Sequence, residues 1–304
     1  MTTPTGSASI AVRSRRLRQK DWAPYVFLAP LLIFFVLFFL LPMGFSLYLT
    51  FTRWNGLSAP NWVGLGNFRF ILQDPGFRRS LANTLMFAGG TVFLGIPLAL
   101  LIAFTFTQSR FRGLWRSVYW LPMITNVVAI AYLWQFILDG RYGLFNRVLG
   151  FFGIAGPDWL SNPTYAMWAV IIVAIWTGLG ANMLIFSAGL EGIDDSFTEA
   201  AQIDGANLWQ SFWNVTLPLL RPTLLFVTVT SFIGGMGAFD LVLALTNGGP
   251  AGSTSVAAFY MYQTAFEDLR LGRASAAAFV LFVVIFVLTL IQLRFFRRGG
   301  VEAY

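Results

Sequence analysis

The sequence predicts an all-α integral membrane protein with six transmembrane helices, on three observations. Of its 304 residues 57% are hydrophobic and only 11% charged, against roughly 45–50% and about 25% in soluble domains. Six apolar stretches are long enough to cross a hydrocarbon core of ~30 Å, which takes about 20 helical residues. These runs are continuous instead of alternating, which argues against a β-barrel.

The stretches are 25–50, 81–106, 114–138, 165–190, 222–246 and 274–296. Pro30 and Pro42 fall in the first, Pro97 in the second and Pro122 in the third. Prolines inside spans are tolerated because neighbouring helices and water serve the freed carbonyls. An even number of spans puts both termini on one side. Residues 13–20 hold Arg13, Arg15, Arg16, Arg18 and Lys20, and such a basic segment stays in the cytoplasm. On that choice the inner segments also carry Arg110, Arg112, Arg116, Arg221, Arg294, Arg297 and Arg298, and the outer loops Arg53, Arg69, Arg78, Arg79, Arg141, Arg147, Arg270 and Arg273. The apolar run behind the basic segment is too long for a signal peptide and lacks a small-residue cleavage pattern. Residues 1–22 therefore read as a basic cytoplasmic arm and 23–304 as one six-helix domain. The net charge of +7 flanks spans in the pattern of membrane topology, facing lipid, and calls for no nucleic-acid partner.

Composition also removes chemistry. There is no His, no Cys and a single lysine, Lys20, placed between Gln19 and Asp21. That excludes a Ser-His-Asp triad, an ordinary zinc site, a disulfide framework and a phosphate-binding P-loop. No cofactor is expected in this chain.

The segment that departs from the membrane pattern is 189–222, GLEGIDDSFTEAAQIDGANLWQSFWNVTLPLLRP. It holds Glu191, Asp194, Asp195, Glu199 and Asp204, against one arginine. Ser196 and Glu199 have capping-box spacing, which predicts a helix starting near Phe197. Gly205 suits the left-handed residue that ends a helix. Leu208, Phe212 and Val215 then form an apolar stripe at helical spacing beside Trp209 and Trp213. Two readings fit these residues: a capped helix-turn-helix lying on the bilayer surface, or a docking element for a partner.

Glu199-Ala200-Ala201, then Gly205 after three residues and Val215-x-Leu217-Pro218 after nine more, match the EAA motif of ABC importer permeases (EAA-x3-G-x9-I-x-LP), with Val in place of Ile. The resemblance continues through residues 51–56 and 62–68, Asp74-Pro75-x-Phe77, Asn83-Thr84, Leu121-Pro122 and Gly143-Leu144-x-Asn146. Beyond the loop it includes Phe239-Asp240, residues 245–250, Tyr260-x-Tyr262, Ala265-Phe266 and Ala274-Ser275-Ala276. The chain thus resembles the carbohydrate-uptake branch of that family, similar to maltose-type F and glycerol-3-phosphate-type A permeases. The resemblance implies a type I ABC importer permease fold in a bacterial or archaeal cytoplasmic membrane. It implies half of a sugar translocation path, a second homologous permease, two ATP-binding subunits that hold ATP and Mg, and an extracytoplasmic solute-binding protein. It implies further that the loop at about 190–221 is a coupling element. Glu199 would contact a basic residue of the ATPase, Ala200 and Ala201 permit close approach, Gly205 supplies the turn, Asp204 braces it, and Leu217 and Pro218 transmit motion into span five.

For the substrate path the candidates are Asn126, Gly178, Asn182, Ser231, Gly235 and Asp240. The resemblance motivates Gly178, Ser231 and Gly235. Asp240 is the main acidic residue within a predicted span, where charge is costly; a substrate or gate role and a snorkelling or packing role both fit it. Asn126, Gln135, Asn182 and Ser231 either bind sugar hydroxyls or satisfy broken backbone near prolines. The run Gly234-Gly235-Met236-Gly237 either lets helices approach closely or breaks span five. An ion-coupled secondary transporter is the alternative function, but it needs intramembrane ionisable groups, and Asp240 alone serves it poorly. An intramembrane protease would need two aspartates, or Ser with His or Lys.

Overall fold

A computed structural model of the protein describes residues 23–107 and 109–298; the arm expected at 1–22 lies outside the described residues. The chain divides into one unit ending at Ser46 and a second beginning at Leu47. The first unit is the body of apolar helix α1 (Tyr25–Leu49), with a π-helical turn at Val36–Leu40. The second unit starts with the end of α1 and a short antiparallel hairpin of β1 (Thr52–Arg53) and β2 (Asn61–Trp62). Then come α2 (Gly66–Gln73), the 33-residue α3 (Pro75–Thr107), α4 (Arg112–Ile124), α5 (Val127–Ile137), α6 (Leu144–Phe151) and the 29-residue α7 (Pro163–Glu191). The acidic loop forms α8 (Asp195–Ile203) and α9 (Leu208–Leu219), and the chain continues as α10 (Arg221–Met236), α11 (Asp240–Thr246), α12 (Ala257–Tyr262) and α13 (Leu271–Arg298).

Four of these helices, α1, α3, α7 and α13, are individually long and apolar enough to cross a membrane. The sequence places one kinked span over 114–138; the structure instead has α4 and α5 meeting at 99°. Pro122 has no N–H to continue the helix. Two residues after α4 ends, Asn126 accepts the Val128 N–H on its side chain and starts α5 in a new direction. A proline followed by a helix cap makes a corner, where a proline alone would make a kink. The sequence also runs span five on to residue 246, whereas α10 ends at Met236. Phe239, at φ −142° and ψ −56°, leaves the helical region before Asp240 opens α11. The glycine run serves both readings at once. A Cβ on Gly235 would lie 3.0 Å from Ala88 Cα, so α10 packs tightly on α3, and the helix ends within the same run.

Pro30 sits in regular α-helix, but three other prolines are absorbed by local widening. Three π-helical turns, Val36–Leu40, Thr91–Gly95 and Phe212–Thr216, each end two residues before a proline: Pro42, Pro97 and Pro218. A proline ring collides with the carbonyl four residues earlier. Those carbonyls belong to Phe38, Phe93 and Asn214, all inside the widened turns, which is one of the recognised ways a helix accommodates an irregularity.

The core of the second unit is a small-residue seam. Ala88, Ala99 and Ala103 of α3 pack with Leu179, Met183 and Phe186 of α7, Val227 and Met236 of α10 and Ala276 and Ala277 of α13. Small side chains let backbones approach where lipid supplies no hydrophobic drive between helices. Loops are pinned by buried or half-buried amides. Asn83 Nδ2 donates to the carbonyls of Gly252 and Ser255, Asn146 Nδ2 to those of Gly140 and Pro157, and Asn67 Nδ2 to those of Thr50 and Thr52. Gln135 Nε2 likewise donates to the carbonyls of Ala244 and Leu245 at the end of α11, which makes Gln135 a backbone partner.

Candidate coupling loop and translocation cleft

The acidic loop is built from two short helices around one turn. The sequence starts α8 near Phe197 with Ser196 as cap; the structure starts it at Asp195 with Asp194 as cap. Asp194 Oδ1 accepts the Ser196 N–H at 2.9 Å. A carboxylate is the stronger acceptor and its charge suits the positive helix end, so Asp194 displaces Ser196. The capping box falls one helix later, between Asn207 and Gln210. Hydrogen bonds from the Ser196 side chain and N–H hold the Asp194 carboxyl below its ordinary value of 3.8. The charged form makes the cap, so its contribution is whole at neutral pH and is lost as pH falls through that lowered value. Asp194→Ala is expected to speed amide exchange at Ser196 and Phe197 several-fold at neutral pH; unchanged exchange would show that the carboxylate does not hold this end.

α8 ends in a Schellman turn. Gly205 takes φ +86°, its N–H reaches Gln202 O at 3.0 Å and the Ala206 N–H reaches Ala201 O at 2.9 Å. Asp204 sits at the C-cap, and among the described residues its carboxylate makes no hydrogen bond or ion pair. Backbone bonds therefore brace the turn, in place of the role expected of Asp204. Glu199, Ala200, Asp204 and Gly205 are exposed, Ala201 is half-buried, and Ile203 is 87% exposed. Among the described residues Asp194, Asp195, Glu199 and Asp204 have no cation within ion-pair distance. The loop thus presents a capped helix with apolar residues and unpaired acids facing outward.

Leu217 and Pro218 are half-buried and lie before a 69° bend between α9 and α10. The bend is held by Leu220, 1% exposed, in the main core. A Cβ on Gly189 would lie 2.9 Å from Leu220 Cδ1 and 2.6 Å from Thr223 Oγ1, so the end of α7 is pressed against this elbow. Sequence reading missed Leu220; its only signal is position, between the LP pair and Arg221-Pro222. Glu191, at the end of α7, pairs with Arg116 and, at 3.9 Å, with Arg112, both on α4. An exposed pair of this kind contributes only about 0–1 kcal/mol to stability. Arg116→Glu is therefore expected to leave expression unchanged and reduce uptake, with Glu191→Arg in the same chain restoring it. Equal uptake by the single variant and the wild type would dismiss the pair as a link.

Four of the six path candidates come together. Gly178 and Asn182 of α7 and Ser231 and Gly235 of α10 line one cavity of about 460 Å³ with Thr91 and Gly95 of α3. Ser231 Oγ donates to Asn182 Oδ1 at 3.3 Å, and the NH2 group of Asn182, a lining residue, has no hydrogen-bond partner among the described residues. Thr91, Thr177 and Thr230, also on the wall, bond their own helices at the carbonyls of Ala88, Ala174 and Phe226. Their place on the wall has no sequence signal, because a threonine bonded back to its helix reads the same on any face. Among the described residues no lining residue is charged. The other two candidates lie elsewhere: Asn126 caps α5 at the corner, and Asp240 is exposed in the first turn of α11, where a negative charge suits the helix end.

Comparison with known proteins places this arrangement in a family. The profile described as "Binding-protein-dependent transport system inner membrane component" matches residues 95–299. The chain is 37% identical over 294 residues, 94% of each chain, to the probable ABC transporter permease protein YesP of Bacillus subtilis (strain 168). It is 34% identical over 279 residues, covering 90% of this chain and 94% of the other, to the sn-glycerol-3-phosphate transport system permease protein UgpA of Agrobacterium fabrum. Among solved structures it is similar to a bacterial alginate ABC transporter in complex with an alginate pentasaccharide-bound periplasmic protein, with TM-score 0.79 and 26% identity over 92% of this chain and 96% of that one. Nothing in these matches supports an ion-coupled carrier. A profile matching two thirds of the chain, relatives matching nearly all of it and a shared type I importer fold agree: this chain belongs to the binding-protein-dependent transport system inner membrane components, as a multi-pass ABC importer permease.

Proposed function

We propose that this permease forms half of the translocation path of an ATP-driven sugar importer and receives its power stroke through α8 and the Gly205 turn. A second, homologous permease supplies the other half, two ATPase subunits bind ATP and Mg, and an extracytoplasmic binding protein delivers sugar. Both termini and the basic arm at 1–22 face the cytoplasm. The observation that carries this reading is the exposed, acid-bearing α8, joined through an elbow buried at Leu220 to the helix that lines the cleft. Motion at α8 reaches α10 through packed side chains, and α10 carries Ser231 and Gly235.

An uncharged cleft wall with one free amide suits hydroxyl-rich neutral solutes. A phosphorylated polyol would call for cations, and the lining holds none. Disaccharides or longer sugars are therefore the proposed cargo. The test is binding-protein-stimulated ATP hydrolysis by the reconstituted complex against a panel of sugars, with coupled uptake. Uptake by this chain without an ATPase would overturn the proposal.

A further inference from the structure

Three arginines outside the cleft converge on one pocket. Arg53 on β1, Arg270 just before α13 and Arg273 in its first turn line a cavity of about 270 Å³ with Asn55, Asn61 and Asn67. Arg53 and Arg270 are exposed; Arg273 is half-buried, its guanidinium 3.7 Å from the centroid of the Phe70 ring. No acidic residue lines the pocket, and among the described residues none of the three makes an ion pair. Asp74, outside the lining, offsets part of the charge on Arg273, but the three guanidiniums still repel one another across the pocket, and such a lining favours an anion. Leu269, at the rim, holds φ +53°, and the turn is closed by the Arg270 N–H on Thr264 O at 2.8 Å. A bulky residue in that region of backbone space is costly and marks a position fixed by its surroundings.

The pocket's depth identifies the anion. α1 ends at Leu49 and α13 begins at Leu271, and both ends meet here: a Cβ on Gly272 would lie 1.9 Å from Thr52 O and 3.1 Å from Leu49 O. α13, long and apolar enough to cross a membrane, begins at the pocket's floor, which puts the pocket at a hydrocarbon boundary. Trp62, 67% exposed and stacked on Phe51 at 5.5 Å, stands beside it as interfacial aromatics do. At this boundary the abundant anion is the phosphodiester of the lipids themselves. We propose that Arg53, Arg270 and Arg273 bind the phosphodiester of an anionic phospholipid headgroup. Guanidinium forks match phosphate oxygens, and the amides of Asn55 and Asn61 face the headgroup hydroxyls. This site is separate from the sugar cleft and does not depend on the cargo.

The test uses the full importer complex purified in detergent, as wild type and as Arg53→Gln/Arg270→Gln, two exposed positions whose replacement leaves the core untouched. Each is titrated with dioleoylphosphatidylglycerol, dioleoylphosphatidylcholine or inorganic phosphate, reading the thermal unfolding midpoint and lipid retained in native mass spectrometry. The wild type is expected to gain several degrees with phosphatidylglycerol, much less with phosphatidylcholine and nothing with phosphate. The double variant is expected to keep the basal midpoint and lose the phosphatidylglycerol gain and its retained lipid. A full gain in the double variant overturns the proposal, and so does an equal gain from inorganic phosphate, which would make this a free-phosphate site. A variant that keeps the lipid gain but loses stimulation by the binding protein also overturns it, assigning the arginines to an acidic protein surface.

Discussion

Gly205→Asp is expected to abolish uptake while the chain remains membrane-inserted at wild-type amounts, and Glu199→Lys to do the same for a different reason. Gly205 holds φ +86° with open space around its Cβ position. A side chain there meets no neighbour, but an L-residue in the left-handed region costs roughly 1–2 kcal/mol, less for Asp or Asn, and aspartate also adds a charge to the turn. That strain re-aims α9 relative to α8 without disturbing the core. Asparagine tolerates this conformation better than most residues, so Gly205→Asn should retain part of the uptake that Gly205→Val loses. Glu199 is exposed and unpaired among the described residues, and surface replacements of that kind usually change stability by no more than about 0.5 kcal/mol. Loss of transport on reversing its charge would therefore report a missing partner and not a broken fold. The measurement is uptake and binding-protein-stimulated ATP hydrolysis by complexes matched for membrane content. Wild-type rates in either variant would remove α8 from the coupling role.

How much of this was legible in the sequence depends on what each feature needs. The apolar helices α3, α7 and α13 are legible because crossing a membrane demands a long continuous apolar run, and their bounds in the structure exceed the expected spans by only a few residues at most ends. The turn at Gly205 is legible because a left-handed residue selects glycine. The corner at Asn126 is not, since proline inside a span is compatible with a kink or a break; the neighbouring cap decides between them. The early end of α10 is hidden for a related reason: Leu241, Val242 and Leu245 are apolar because they pack in a second cluster with Met167 and Val170, and hydropathy cannot separate that burial from a continued span. Asp194 over Ser196 was a contest between two adjacent acceptors that spacing alone could not rank. Of the candidates that line the cavity, Gly178, Ser231 and Gly235 came from the family resemblance and Asn182 from its polarity within a span. Asn126 and Asp240, also chosen for polarity, lie outside it, so polarity within a span does not by itself locate the wall.

The cleft can be separated from helix packing by its glycines. A Cβ on Gly178 or Gly234 would meet nothing within 4 Å, whereas one on Gly235 would lie 3.0 Å from Ala88 Cα and 3.1 Å from Ala88 Cβ. All three line the same cavity. Gly178→Phe and Gly234→Phe are therefore expected to insert normally, since both replace a poor helix former within a helix, and to fill the space between α7 and α10. A barrier raised by only about 1.4 kcal/mol slows passage roughly tenfold, and an aromatic ring across the path should do at least that. Gly235→Leu is expected to fail differently: forcing side-chain atoms into a packed seam costs about 1–3 kcal/mol, lowering the unfolding midpoint and the amount of assembled complex. ATP hydrolysis divides the cases further. The cleft variants should still hydrolyse ATP when the binding protein is added, because α8 and the elbow at Leu220 are intact, while uptake falls; the Gly205 and Glu199 variants should lose both. If Gly178→Phe and Gly234→Phe express normally and transport at wild-type rates, sugar does not pass between α7 and α10, and the cavity there is a packing defect.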